Sequence, residues 1–218
     1  MKFALVALTV LAVVSSVHPY KIPASGSGEL VKELQDYLDV IPMSEVVDIV
    51  KAYLIQDKEM QAMMRIALSA DSVAFIKEIE EMPEIWQLAN YIQSAGIDIY
   101  LCITKLNRSL KLNPFTPSST YREISGGIKG LQDDLRKVLP EEKLQALSEE
   151  KWNNSRLLMD LFDEVISDKY RRMYERIAAS SNLKKLYLAS QKAGITLDDF
   201  DFGYIMSLTV HVVHYSPL

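Results

Sequence analysis

Apolar residues recur along most of the chain at intervals of three and four, the spacing that gathers them on one face of an α-helix. Leu30, Leu34, Tyr37 and Leu38 form the first such stripe and predict a helix over 29–39. Pro42 ends it, because the residue before a proline is driven out of the helical conformation. Val46, Ile49, Val50, Tyr53 and Leu54 predict a second helix over 44–56. A third, capped by Asp57, carries Met60, Met63, Met64, Ala67 and Leu68. A fourth, capped by Ser69 or Asp71, carries Phe75, Ile76 and Ile79. The fifth opens at Pro83, shows Ile85, Leu88, Ile92 and Ala95, and stops at Gly96; Asp98 caps a sixth with Ile99, Ile103, Leu106 and Leu110. Side-chain acceptors or Pro at the start and Gly just past the end are what helix termini require. Neither Gly nor Pro occurs from 43 to 82 or from 141 to 193, and stretches that long without turn residues argue against a β-protein.

The pattern then restarts. Residues 113–124 collect Pro114, Pro117 and several Ser and Thr, the composition of a linker. Shifted by 98 residues, 40–97 overlies 138–195 without a gap. Val40, Pro42, Ser69, Ile79, Leu88, Gln93, Ala95, Gly96 and Ile97 recur as Val138, Pro140, Ser167, Ile177, Leu186, Gln191, Ala193, Gly194 and Ile195. Apolar positions and caps keep the same register, Met60 over Leu158 and Asp57 over Ser155 among them. The second unit is therefore expected to place helices over 125–138, 141–151, 155–166, 167–178, 181–193 and 198–213. The chain reads as all-α, with repeat 1 over 28–112 and repeat 2 over 125–214 in one globular fold. Two units are few for an open solenoid, so a closed pair, each unit covering the other's apolar side, is the expected architecture.

The N-terminus changes the picture. Lys2 precedes an apolar run, Phe3–Val14, and then Ser15-Ser16. The run is short for a bilayer span, which takes roughly 20 residues, and reads as a secretory signal peptide over 1–16 with a flexible mature N-terminus over 17–27. The expected location is extracellular. The chain is 49% apolar with a net charge of -5, which offers no basic footprint for nucleic acid. Cys102 is the lone cysteine, so no intramolecular disulfide forms. Asn107-Arg108-Ser109 and Asn153-Asn154-Ser155 make Asn107 and Asn153 candidate N-glycosylation sites on an exported chain.

Several of these motifs resemble a known family. Asp39-Val40-Ile41-Pro42, Ile49 to Leu54 and Asp57 to Gln61 look like the opening of the insect allergen repeat; Met82 to Ile85, Leu88 to Ile92 and Ala95 to Asp98 look like its close. The family includes cockroach group-1 allergens, insect midgut microvillar proteins and nitrile-specifier proteins. The resemblance implies two tandem six-helix repeats forming a twelve-helix capsule around an apolar cavity that takes up lipid. It also implies secretion to the midgut lumen or microvillar surface, with peripheral membrane contact. In the second repeat Ala189-Ser190 stands where the first has Tyr91-Ile92, and Glu150-Lys151 where it has Ala52-Tyr53.

From the residues alone, the stripe Met60, Met63 and Met64 fits a plain helical core or an adaptable ligand wall, since Met is flexible and polarizable. The resemblance favours the wall. The expected lining then includes Phe75, Ile76, Ile79, Leu88, Ile92, Ile99, Ile103 and Leu106, and in the second repeat Leu158, Leu161, Phe162, Met173, Ile177, Leu183, Leu186, Ile205 and Leu208. Catalytic constellations are scarce. His211 and His214 stand three apart without a nameable third metal ligand, and His18 lies near the mature N-terminus. The acidic runs 78–81 and 198–201 read as solvated faces or caps. Phosphate-loop, dinucleotide, Ser-hydrolase and zinc-protease motifs are missing from the sequence. The expected function is a secreted, non-enzymatic and cofactor-free binder of apolar ligands such as fatty acids or phospholipids. The alternatives are a nitrile-specifier-like detoxification protein and a structural protein of the gut lining. Sequencing the mature N-terminus is expected to find a start close to Val17; intact Met1 recovered from a secreting cell contradicts the leader.

Overall fold

The computed structural model describes residues 20–109 and 122–195, and its regular elements are helices. In chain order they are α1 (Glu29–Val40), α2 (Met43–Gln56), α3 (Lys58–Ala67), α4 (Ala70–Glu80), α5 (Pro83–Ser94) and α6 (Ile99–Ser109) in the first repeat. The second holds α7 (Gly127–Arg136), α8 (Glu141–Asn154), α9 (Arg156–Ile166), α10 (Asp168–Ala179) and α11 (Ser181–Lys192). The fold is all-α, with eleven helices among the described residues. The helix expected over 198–213, the leader over 1–16 and most of the linker lie outside them.

The 98-residue offset holds to the residue where both ends are sharp: α2 maps onto α8 and α5 onto α11. Equivalent caps make equivalent bonds. Asp57 accepts the amide of Met60 at the start of α3, and Ser155 that of Leu158 at the start of α9. Gly28 and Gly126 precede α1 and α7 with φ of 65° and 84°. Gly96, at φ 112°, closes α5 where a side chain would strike the backbone nitrogen of Glu29.

The repeats face each other under a pseudo-two-fold exchange, as two copies do in an isologous dimer. α1 packs on α8, and its counterpart α7 packs on α2. α3 packs on α7 as α9 packs on α1, and α4 on α11 as α10 on α5. One packed cluster gathers residues of both repeats together with their own equivalents: Phe75 and Met173, Ile79 and Ile177, Leu88 and Leu186, Ile85 and Leu183. A second cluster lies off the axis, where Ile49, Val50, Tyr53, Met60 and Met63 meet Ile128, Leu131 and Ile195.

Polar contacts obey the same exchange with different chemistry. The Tyr53 hydroxyl donates to Asp134 Oδ2 at 2.6 Å. At the two equivalent positions, Lys151 pairs with Asp36, and it also reaches Glu33 at 2.8 Å. At the other end Glu78 Oε2 accepts from Ser180 Oγ (2.6 Å) and Asn182 Nδ2 (2.9 Å), while the equivalent pair is Arg176 and Glu84 at 3.6 Å. Lys151 therefore does not abandon the role of Tyr53 but fills it with an ion pair.

The segment expected to be flexible over 17–27 is bonded over its described part. Ile22 N donates to Gln35 Oε1, Gln35 Nε2 donates to the Tyr20 carbonyl, Ser25 N donates to Gly96 O, and Asp98 N donates to Pro23 O. Ala24 and Ile97 form a single antiparallel bridge. The physical reason is that backbone groups covered by the fold require partners, a need that loop-like composition does not reveal.

Tyr53 also accepts from the amides of Ser125 and Gly126, each at 3.2 Å. Burial, then the bond to Asp134, pushes its hydroxyl pKa up. Burial alone would raise Asp134 too, but bonds from Lys137, Tyr53 and Ser125 hold it well below the usual carboxylate range. Such a depressed pKa contributes stability in full above the unfolded value and loses it only as pH falls through the folded one. Gly130, inside α7, makes this approach possible. A Cβ there would lie 2.8 Å from the Ser125 carbonyl carbon and 3.0 Å from Tyr53 Oη. Ala is the better helix former by about 1 kcal/mol, yet Gly130→Ala is expected to destabilise by about 1–3 kcal/mol through overpacking. Urea unfolding checks the sign; a stabilised variant would mean that the contact yields.

Candidate functional site

The expected lining divides in two. Met60 and Met63, at 0% and 1% exposure, are sealed inside the off-axis cluster, with Met64 packed against it. Phe75, Met173, Ile177 and Leu186 are buried in the first cluster, with Ile79, Leu88 and Leu183 against it. These residues are close-packed core. The methionine stripe, expected as a ligand wall, faces Ile128 and Leu131 of α7 and Ile195 within this cluster. Ile76, Ile92, Ile99, Ile103, Leu158, Leu161 and Phe162 belong to neither cluster and remain partly exposed. The Leu106 side chain, Ile205 and Leu208 lie outside the described residues.

Helix α9 concentrates this surface. Its apolar residues follow helical spacing, yet none is fully buried. Leu158 and Leu161 are equivalent to the buried Met60 and Met63, so one stripe is closed in one repeat and open in the other. Ile66 packs against both clusters in the first repeat, whereas Glu164 occupies the equivalent position in the second. Trp152 of α8 meets Phe162 edge-on at 5.2 Å. Met159 and Ile166 stand exposed at 37% and 59%. Ile166 also borders an open depression of about 410 Å³ with Tyr174, Arg171 and Ala178, a place that coincides with none of the expected lining residues.

Several polar groups near this face bond to one another. Glu164 accepts from Tyr170 Oη at 2.9 Å and from Lys169 Nζ at 2.7 Å. Those donors, Lys169 first, hold its carboxyl below the ordinary range. The Tyr174 hydroxyl donates to the Val165 carbonyl. Burial raises the pKa of Tyr91, and the nearby carboxylates Asp160 and Glu164 add to that. Burial also pushes the Cys102 thiol up, which keeps it protonated and a poor nucleophile. Among the described residues no three His, Cys, Asp or Glu side chains gather as metal ligands, and no helix is long and apolar enough to cross a membrane. His18, His211 and His214 lie outside those residues. Asn153 is exposed at the end of α8, while Asn107 is partly buried with its amide nitrogen bonded to Glu80.

A two-repeat helical chain with unequally covered apolar faces finds its match in a family profile, described as insect allergen related repeat, nitrile-specifier detoxification, over residues 29–201. The chain belongs to the insect allergen related repeat family. It is also similar to Protein G12 of Anopheles gambiae, with 23% identity over 174 residues, covering 78% of this chain and 82% of that protein. The family match runs through both repeats.

Sequence reasoning missed the polar clasps of this family member. Asp36 and Asp134 are identical at the same offset, four positions upstream of the stretch first aligned. That identity was the available signal. The two faces of the repeat also predict unequal energetics. Met63→Ala, in close-packed core, is expected to cost about 2–5 kcal/mol. Its equivalent Leu161→Ala, in delipidated protein, is expected to cost about 1 kcal/mol, because less apolar surface returns to water. Urea unfolding of both variants decides; equal losses would mean that the α9 face is packed like that of α3.

Proposed function

We propose that the protein is a secreted binder of apolar ligands, fatty acids or phospholipids, which it holds by their acyl chains against α5, α6 and α9. The observation that supports this most is the set of seven partly exposed aliphatic and aromatic residues that join neither packed cluster. Each methylene moved from water onto such a surface contributes about 0.8 kcal/mol, so a long chain gains enough for useful affinity without a fixed polar anchor. Specificity is accordingly low. Glu164, Lys169 and Tyr170 beside α9 already bond to one another, which leaves them poorly placed to read a head group. The family resemblance supports a place in the midgut lumen or at the microvillar surface. A second reading, detoxification of the nitrile-specifier kind, draws on the family description; product analysis of glucosinolate breakdown with and without the protein separates the two.

Native mass spectrometry of the purified protein is expected to show lipid-sized adducts that organic extraction removes. A ligand that binds only the folded state stabilises it by mass action. The delipidated protein should therefore melt lower and regain its midpoint on reloading with oleate or phosphatidylcholine. Equal midpoints for empty and reloaded protein would contradict the carrier reading.

A further inference from the structure

The pseudo-two-fold exchange calls for two like edges between the repeats, and the protein builds them differently. At one edge α7 meets α2 and α3, and the start of α7 is bonded to the opposite repeat. Gly127 N donates to Asp57 Oδ2 at 2.8 Å and Ile128 N to Glu59 Oε2 at 3.1 Å. Ser125 and Gly126 bond to Tyr53 Oη, and Gln56 Nε2 donates to the Arg122 carbonyl. Beneath these bonds lies the off-axis cluster with Met60 and Met63 sealed inside.

At the other edge α1 meets α8 and α9. Here the equivalent amides turn back to their own half of the chain: Leu30 N donates to Ala95 O at 3.2 Å and Gly28 N to Ser25 O at 3.0 Å. Lys151 crosses to Asp36 and Glu33, an ion pair where the first edge has a hydroxyl donating into a bonded carboxylate. Leu147, Leu158 and Leu161 are partly exposed where Ile49, Met60 and Met63 are buried. An ion pair reached by solvent is screened by salt. A region with fewer sealed apolar contacts opens at lower free energy than a sealed one.

We infer that α1 and α9 come away from each other at the α1–α8–α9 edge while the α2–α3–α7 edge and the cluster around Phe75 and Met173 stay closed, and that apolar ligands enter and leave beneath α9. The opening rests on the two edges alone; its use by ligands rests on the carrier reading. Hydrogen exchange on the purified full chain tests the opening. Amides of α1 and α9 are expected to exchange faster than those of α3 and α7, and added NaCl is expected to speed the first pair only. Lys151→Gln should raise exchange in α1 and α9 by about two- to fivefold and leave α3 and α7 unchanged, while Lys151→Arg, which keeps the ion pair, should behave as the natural chain. Equal protection at both edges, or acceleration of both together, overturns the proposal. In the second arm, protein loaded with pyrene-labelled phosphatidylcholine donates it to phosphatidylcholine vesicles. Transfer from Lys151→Gln should be faster by a similar factor, and an unchanged rate overturns the ligand route. Failure to load the pyrene lipid at all defeats the carrier reading, and the exchange data then decide the opening independently.

Discussion

Each repeat carries more apolar surface than it can bury, and the structure follows from how the two copies relieve that excess against each other. Helices of 10 to 14 residues are marginal alone in water and take their stability from the packing of an amphipathic face. Phe75, Ile79, Ile85 and Leu88 and their equivalents Met173, Ile177, Leu183 and Leu186 share one packed cluster between the repeats. That contact requires α4 and α5 to lie against α11 and α10, which in turn brings α1 to α8 and α7 to α2. Helix order, the paired edges and the placement of both clusters all descend from this face-to-face pairing.

A duplicated surface need not stay duplicated in chemistry. Tyr53 and Asp134 share a neutral donor with a carboxylate, whereas Lys151 and Asp36 share charge. Glu78 with Asn182 and Arg176 with Glu84 form the same kind of altered pair. The apolar side diverges as well: Val50 in the first repeat is answered by Ser148 and Ile66 by Glu164. These exchanges leave one edge sealed and the other under-filled. The open apolar face of α9 arises from that divergence rather than from the repeat itself.

Helix positions were legible in the chain because their causes are local. Spacing of three and four, Asp57 and Ser155 as caps, and Gly96 and Gly194 as stops act within a turn or two, and the 98-residue register needed only a gap-free overlay. What the stripes face was not legible. Met60, Met63 and Met64 carry the same pattern whether a neighbouring helix or a lipid covers them, and here α7 covers them. The tether at 20–28 escaped notice for a related reason, since its bonds run through backbone groups that composition does not report. The clasps were half visible: Asp36 and Asp134 coincide in register, but that Lys151 replaces Tyr53 as their partner emerges only when the repeats are seen to face each other.

The carrier reading places apolar ligands on the α9 side of the pairing and not at the methionine stripe. Methyl NMR with a spin-labelled phosphatidylcholine measures it directly, because the label broadens methyl signals within its reach. The account predicts broadening at Ile92, Ile103, Leu158 and Leu161 while the methyls of Met60 and Met63 stay sharp. Broadening of the methionines with α9 unaffected would contradict it.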